Sequence, residues 1–273
     1  MAHIVQVGAG SGGMVVLDLL CGDARITRLT LIEPDVYKPH NVERHYFPPS
    51  AVGEFKAELA RDWLRDRRPE LQVDLLIHDL CDSTVQQEIE QAIASADVGI
   101  CAVDNEPAKY HFDGLMRKHR KPWTLGEVLS GGIGGFVHYF VPDGPCYGCV
   151  ASHLKRDVQE EEPPPVPNYS QPGGTAPVVR IPASKAAIHA IAGLHALVTL
   201  GLLAEPRQYR PGFTSLLLTL QRVPDLFEEA FRPHRLRIPR SAECLICQPP
   251  PAPCAAEDLD AALDQALARF ENA

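Results

Sequence analysis

A chain of 273 residues, 45% hydrophobic and 22% charged, carries enough apolar material for one large core and suits one α/β domain with an appendage. A formal net charge of −9 argues against a nucleic-acid binder, which needs lysine and arginine to neutralise phosphates. The sequence opens without a basic-then-apolar leader, and its most apolar run, residues 186–204, is interrupted by His189, Gly193, His195 and Gly201; no membrane segment and a cytoplasmic location are expected.

Residues 4–7 read as a strand that runs into Gly8, Gly10 and Gly13, spaced G-x-G-x-x-G, before an apolar helix over 14–20. The glycines permit a tight turn, and free N–H groups at the helix start can receive phosphate. The loop alone does not separate users of NAD, FAD, S-adenosylmethionine and ATP, and a glycine turn without ligand is the plain alternative. A second strand, 29–32, ends at Glu33-Pro34-Asp35. Glu33 lies about twenty residues after the glycines, where a carboxylate can accept from a ribose hydroxyl; a surface carboxylate is its bland reading.

A polar stretch leads to Gly53, and residues 54–66 have helical composition with Phe55, Leu59, Trp63 and Leu64 as apolar positions. Residues 73–77 read as a strand, 83–95 as a helix, and 98–103 as a fourth strand ending at Asp104-Asn105. Strands alternating with helices predict an α/β fold with a doubly wound, mainly parallel sheet. After Lys121 the texture changes: 122–135 is glycine-rich, and 136–141 reads as a strand of an antiparallel extension. Residues 159–182 are rich in Pro, Glu and Gly and read as a long exposed loop. A helix over 184–203, a strand over 216–221 and, past a proline-rich stretch, an alanine-rich helix over 257–271 complete the chain, with no internal repeat.

Of eight cysteines, four form two C-x-x-C pairs, Cys146/Cys149 and Cys244/Cys247. Two thiolates from each knuckle complete a closed tetrahedral zinc site with no open position for water, which makes the metal structural. A redox dithiol is the competing reading, but neither pair sits in a thioredoxin-like βαβ context. Cys21 and Cys101 read as core residues, whereas Cys254 lies in the proline-rich tail. The eleven histidines show no paired helix-face ligand pattern; His189 and His195 read as satisfied core or interface groups.

One ordered set goes further. Glu33-x-Asp35 is followed by Asn41-Val-Glu-Arg44-His45, by Gly53-x-x-Lys56, and by Asp104 after an apolar strand, while Pro145-Cys146-Tyr147-x-Cys149 matches a zinc half-site. From Val5 to about Cys247 this order resembles the E1-like activating-enzyme superfamily, the ThiF/MoeB-type adenylating enzymes of ubiquitin-like and sulfur-carrier proteins. The resemblance implies that Arg44 and Lys56 contact the triphosphate of ATP, that Asn41 orients phosphate or metal, that Asp104 holds Mg²⁺, and that Asp35 lies on the ribose side. It also places His45, which follows Arg44 where relatives have Gln or His, at the border of the phosphates. Alone, Arg44 and Lys56 read as a solvated charged surface and Asp104 as a helix cap.

The expected organisation is a single domain over 1–273, with a nucleotide-binding half (1–121), a carrier-binding, zinc-stapled half (122–248) and a tail (249–273). The expected reaction is MgATP-dependent adenylation of the C-terminal carboxylate of a small β-grasp carrier, with a homodimer as the assembly. Adenylation of a peptide or small acid, a non-catalytic zinc-stapled scaffold, and a Rossmann oxidoreductase are the alternatives; the last leaves Asn41, Arg44, Lys56 and Asp104 without a joint role. Three features depart from the family pattern. Relatives carry a crossover-loop cysteine, but 167–177 has Tyr169, Ser170 and Thr175 and no cysteine, so no covalent nucleophile is assigned. Glu33 stands where the pattern has aspartate. The sequence opens on its first strand, so a partner-reaching arginine from a preceding helix is not expected.

Overall fold

A computed structural model describes residues 1–154, 182–205 and 208–248. The expected loop over 159–182, except its last residue, and the tail helix over 257–271 lie outside the described residues. Eight strands form one sheet in the order β3-β2-β1-β4-β5-β6-β7-β8. Strands β1 (Ala2–Val7), β2 (Ile26–Ile32), β3 (Gln72–Leu76), β4 (Val98–Cys101) and β5 (Trp123–Val128) run parallel. Strands β6 (Gly134–Phe140), β7 (Ser215–Thr219) and β8 (Pro233–Leu236) then extend it antiparallel. The doubly wound sheet with its antiparallel extension is therefore as the alternation of strand and helix patterns foretold.

The central parallel strands β1 and β4 are covered on both faces, with Ile4, Val5, Val7, Val98, Ile100 and Cys101 buried. Helices α1 (Ser11–Cys21) and α2 (Lys56–Arg67) close one core with Leu29, Leu31 and Ile100. On the other face, α3 (Gln86–Ser95) and α4 (Glu106–Lys118) close a second with Val5, Val7 and Trp123. A short helix, α5 (Tyr147–His153), carries the first cysteine knuckle, and α6 (Lys185–Ala204) packs on α1, β5 and β6.

Several elements differ from the sequence reading. In α2 the buried face is Lys56, Ala57, Ala60 and Leu64, while Phe55 caps the helix and stays exposed, because burial follows the i, i+4 face rather than residue size. The glycine-rich stretch hides β5: a Cβ on Gly126 would lie 2.5 Å from His195 Nδ1, so this glycine marks close packing of α6 and not a loop. The short edge strand β8 and helices α4 and α5 are not among the elements read from the sequence, although α4 buries Ala108, Phe112, Leu115 and Met116 on one face at helical spacing. Finally, α6 is a 20-residue helix apolar and long enough to cross a membrane, contrary to the reading of its sequence. Much of it is buried in the fold: His195 Nε2 bonds Thr124 Oγ1 at 2.9 Å, and Ile188, Ile191, Val198 and Leu202 fill the core.

Candidate functional site

The C-terminal ends of β1, β2 and β4 lie at one edge of the sheet, and the chain leaves β1 for β2 on one side and β4 on the other. This is the switch point where open α/β sheets bind ligands. Gly8 adopts φ +93°, and a Cβ there would lie 2.5 Å from the Ala102 carbonyl oxygen, so the turn is pressed against the β4 end. Gly10, by contrast, has no neighbouring atom within 4 Å of where its Cβ would lie. It opens α1 without a side-chain cap, and no acid lies in the first turn, so the helix N-terminus is free to take an anion.

The turn is held from beneath. Gln6, fully buried, donates to the carbonyls of Gly8 (2.8 Å) and Gly13 (3.0 Å). Glu33 accepts from the Ala9 N–H at 2.6 Å and the Asp35 N–H at 2.9 Å, tying the turn to the end of β2. Burial raises the Glu33 pKa, against the pull of these bonds and of Lys56. His45 Nε2 donates to the Ala9 carbonyl at 2.9 Å. Burial lowers its pKa to about 4, so His45 braces the turn as a neutral ring. Gln6 and this bracing role of His45 escaped the sequence reading, which had no signal for a side chain reaching backwards under its own turn.

Around this turn stand the other expected residues. Lys56, nearly buried, donates to Asp35 at 2.6 Å. Asn41 organises the neighbouring loop: its Oδ1 accepts from the Lys38 N–H, and its carbonyl accepts from the N–H groups of Arg44 (3.0 Å) and His45 (2.9 Å). Arg44 is half-buried, and its guanidinium has no partner among the described residues. Asp104 is exposed with a carboxylate that is likewise unpartnered. The cap of α4 belongs to Asn105, whose Oδ1 accepts from the Ala108 N–H at 2.9 Å, so Asp104 is free of that duty. A single exposed carboxylate at this edge is compatible with Mg²⁺, which takes few protein ligands and keeps waters and phosphate oxygens. Two shallow surface concavities, one around Asp18 and Arg67 and one along β3, share no residue with this set.

The four knuckle cysteines meet although two lie about a hundred residues from the others. Their buried Sγ atoms lie within 4.8 Å of one another, with separations of 3.5, 3.6 and 3.7 Å along three contacts. Zinc–sulfur bonds of about 2.3 Å in a tetrahedron put sulfurs roughly 3.8 Å apart, whereas a disulfide needs about 2.05 Å. The donor set therefore fits zinc and excludes bridges. Four buried thiolates would repel one another without a cation, and burial pushes the Cys146 thiol up. Tyr147, between the first two ligands, donates its hydroxyl to Glu106 at 2.7 Å, so the knuckle braces the first turn of α4 beside Asp104. Lys109 joins Glu106 (2.7 Å) to Glu127 (2.6 Å), and His138 extends this network to Ser215 at 2.7 Å.

Cys21 and Cys101 are core residues as expected, and burial pushes the Cys101 thiol up to about 12. His195 is satisfied, but His189 Nε2 is buried without a hydrogen-bond partner and its ring stacks on Tyr46. These histidines predict a pH dependence. Burial lowers the pKa of His45 and of His195 to about 4, so below pH 6.5 the unfolded chain binds protons that the native state refuses. Asp113, raised to about 6 by burial, opposes them. The balance is a loss of about 2 kcal/mol of stability between pH 6.5 and 5. Urea titrations at both pH values check this; a flat or rising stability contradicts it.

The fold and the edge thus define a doubly wound α/β domain with an antiparallel extension and a buried four-cysteine cluster that fits a metal. The ThiF family model matches residues 1–242, and the chain belongs to that family. It is 29% identical over 150 residues to the SAMP-activating enzyme E1 of Haloferax volcanii, covering 55% of this chain and 53% of that one. To the ubiquitin-like modifier-activating enzyme 5 of Caenorhabditis elegans it is 26% identical over 157 residues, 54% of this chain and 37% of that one. The chain therefore spans about half or less of these relatives. Among solved structures, E. coli MccB shares the fold, with a TM-score of 0.67, 17% identity, and coverage of 93% of this chain and 67% of that one.

Proposed function

We propose that this chain catalyses MgATP-dependent adenylation of the C-terminal carboxylate of a small ubiquitin-like or sulfur-carrier protein. The observation that carries the reading is the gathering of an open helix N-terminus, the Lys56–Asp35 pair, an unpaired arginine and an unpaired carboxylate at one switch point. A substrate carboxylate oxygen attacks the α-phosphorus, the bond to the bridging oxygen breaks, and pyrophosphate leaves. Negative charge grows on the phosphate oxygens in that step, and Arg44, Lys56 and the α1 N-terminus are set to neutralise it without reorganising. Asp35, the exposed carboxylate of the pair, would serve the ribose side, Glu33 fixes it there by bonding the Ala9 and Asp35 N–H groups, and Asn41 holds the loop that carries Arg44. Asp104 would hold Mg²⁺, which when bound screens the triphosphate and polarises its oxygens. The similarity to a ubiquitin-like modifier-activating enzyme, beside that to a SAMP-activating E1, supports a ubiquitin-like substrate, and a homodimer belongs to the same reading.

ATP–pyrophosphate exchange with and without a candidate β-grasp carrier tests the proposal. Carrier-dependent exchange supports it. Exchange driven by peptides or small acids transfers the chemistry to another substrate, and NAD binding in place of ATP rejects it.

The acyl-adenylate is the expected end of the reaction on this protein: residues 150–243 contain no cysteine and Cys21 and Cys101 are buried, which leaves exposed Cys81 and the tail's Cys254 as the thiols to test. Incubation with MgATP and carrier is expected to leave no covalent adduct on gels run with or without reductant. A reductant-sensitive adduct lost in Cys81→Ala or Cys254→Ala, or a hydroxylamine-sensitive one at Ser170 or Thr175, overturns this.

A further inference from the structure

Lys185 opens α6, far in sequence from every residue assigned to the nucleotide, yet it stands at the same edge. Its Nζ donates to the His45 carbonyl at 2.9 Å, and His45 in turn holds the Ala9 carbonyl. One helical turn on, Ile188 Cγ2 lies 3.7 Å from where a Cβ on Gly12 would be. Lys185 and Ile188 share a face of α6 at i, i+3 spacing, so the lysine stands one turn above that contact, over the N-terminus of α1. The two helices thus bring their N-termini to one edge, and neither has an acid in its first turn.

This placement is electrostatically uphill. A cation at a helix N-terminus faces the positive end of the macrodipole. The Lys185 ammonium forms no ion pair among the described residues, and Lys56 lies close enough that both lysines depress the His45 pKa after burial has done so. Arg44, the residue before His45, adds a further unpaired cation. The bond to the His45 carbonyl satisfies one of three ammonium donors, and the Tyr46 ring lies 5.7 Å from Nζ; neither brings a negative charge to the ammonium. A polyanion over Gly10–Gly12 would compensate it.

We infer that Lys185 is a further phosphate-binding cation of this site, reaching the triphosphate from the second half of the chain. The inference rests on the nucleotide reading proposed above. It is distinct in residue and in consequence, since it makes α6 part of the nucleotide site.

The test is calorimetric titration of the full chain and of Lys185→Met and Lys185→Arg with MgATP and, separately, adenosine. The methionine keeps the aliphatic stem and removes the charge. Loss of one charge-assisted contact is expected to weaken MgATP about tenfold or more, with adenosine affinity unchanged and Lys185→Arg within a few-fold of wild type. Wild-type MgATP affinity in Lys185→Met overturns the inference while leaving the nucleotide reading intact. A parallel loss of adenosine and MgATP affinity, with a lowered melting temperature, assigns Lys185 a purely structural role and also overturns it. Failure of the wild-type chain to bind MgATP removes both.

Discussion

Asp104→Ala is expected to lower ATP–pyrophosphate exchange by about a hundredfold or more, with the melting temperature unchanged. The structural side of this expectation comes from the cap: Asn105, not Asp104, satisfies the first turn of α4. The Asp104 carboxylate is exposed and unpartnered among the described residues, so alanine removes no hydrogen bond that the fold uses. What it removes is the ligand proposed for Mg²⁺, where negative charge develops in the transition state. Arg44→Ala shares the logic, since its guanidinium is also unpaired, and an effect of similar size is expected. Lys56→Ala is the informative contrast: it leaves Asp35 without its partner at 2.6 Å and opens a space in α2, so both exchange and stability should fall. Full exchange activity in Asp104→Ala rejects the metal role of that residue.

Zinc removal should act on the fold first. One tightly bound zinc per chain is expected from metal analysis of protein purified under reducing conditions, and its absence contradicts the assignment. Structural zinc contributes apparent binding energies of about 10–16 kcal/mol in zinc-finger peptides, which exceeds much of the stability of an ordinary domain. Chelation or Cys146→Ser is therefore expected to lower the melting temperature before it changes the chemistry. The path of damage is visible: the knuckle holds Tyr147, whose hydroxyl reaches Glu106, and Glu106 opens the helix that follows Asp104. Loss of zinc should thus loosen the Asp104 turn as a second effect, seen as a raised Mg²⁺ requirement in protein still folded at low temperature.

Much of the fold was legible in the sequence because it rests on local rules. Strand patterns ending at Gly8, Pro34 and Asp104 and alternating with helix patterns marked a mainly parallel, doubly wound sheet. The glycine spacing, the acidic β2 end and the C-x-x-C pairs were legible because each chemistry demands particular residue types at short separations. Elements that depend on distant partners were not. The strand that runs through Gly126, where the His195 ring lies against the backbone, and the packing of α6 on α1, β5 and β6 were set by partners distant in sequence.

The sequence by itself determined the class of fold, the ThiF-type order of motifs and which four cysteines form the cluster, because these reside in residue type and near-neighbour spacing. Only the tertiary structure decided how the site is held. Gln6 beneath the turn, Glu33 accepting from two backbone N–H groups, neutral His45 against Ala9 and Lys185 above His45 are contacts between segments up to 140 residues apart. No local pattern encodes such contacts: whether a carboxylate binds ligand or backbone, and whether an imidazole is charged, depends on burial and neighbours that exist only after the sheet has formed.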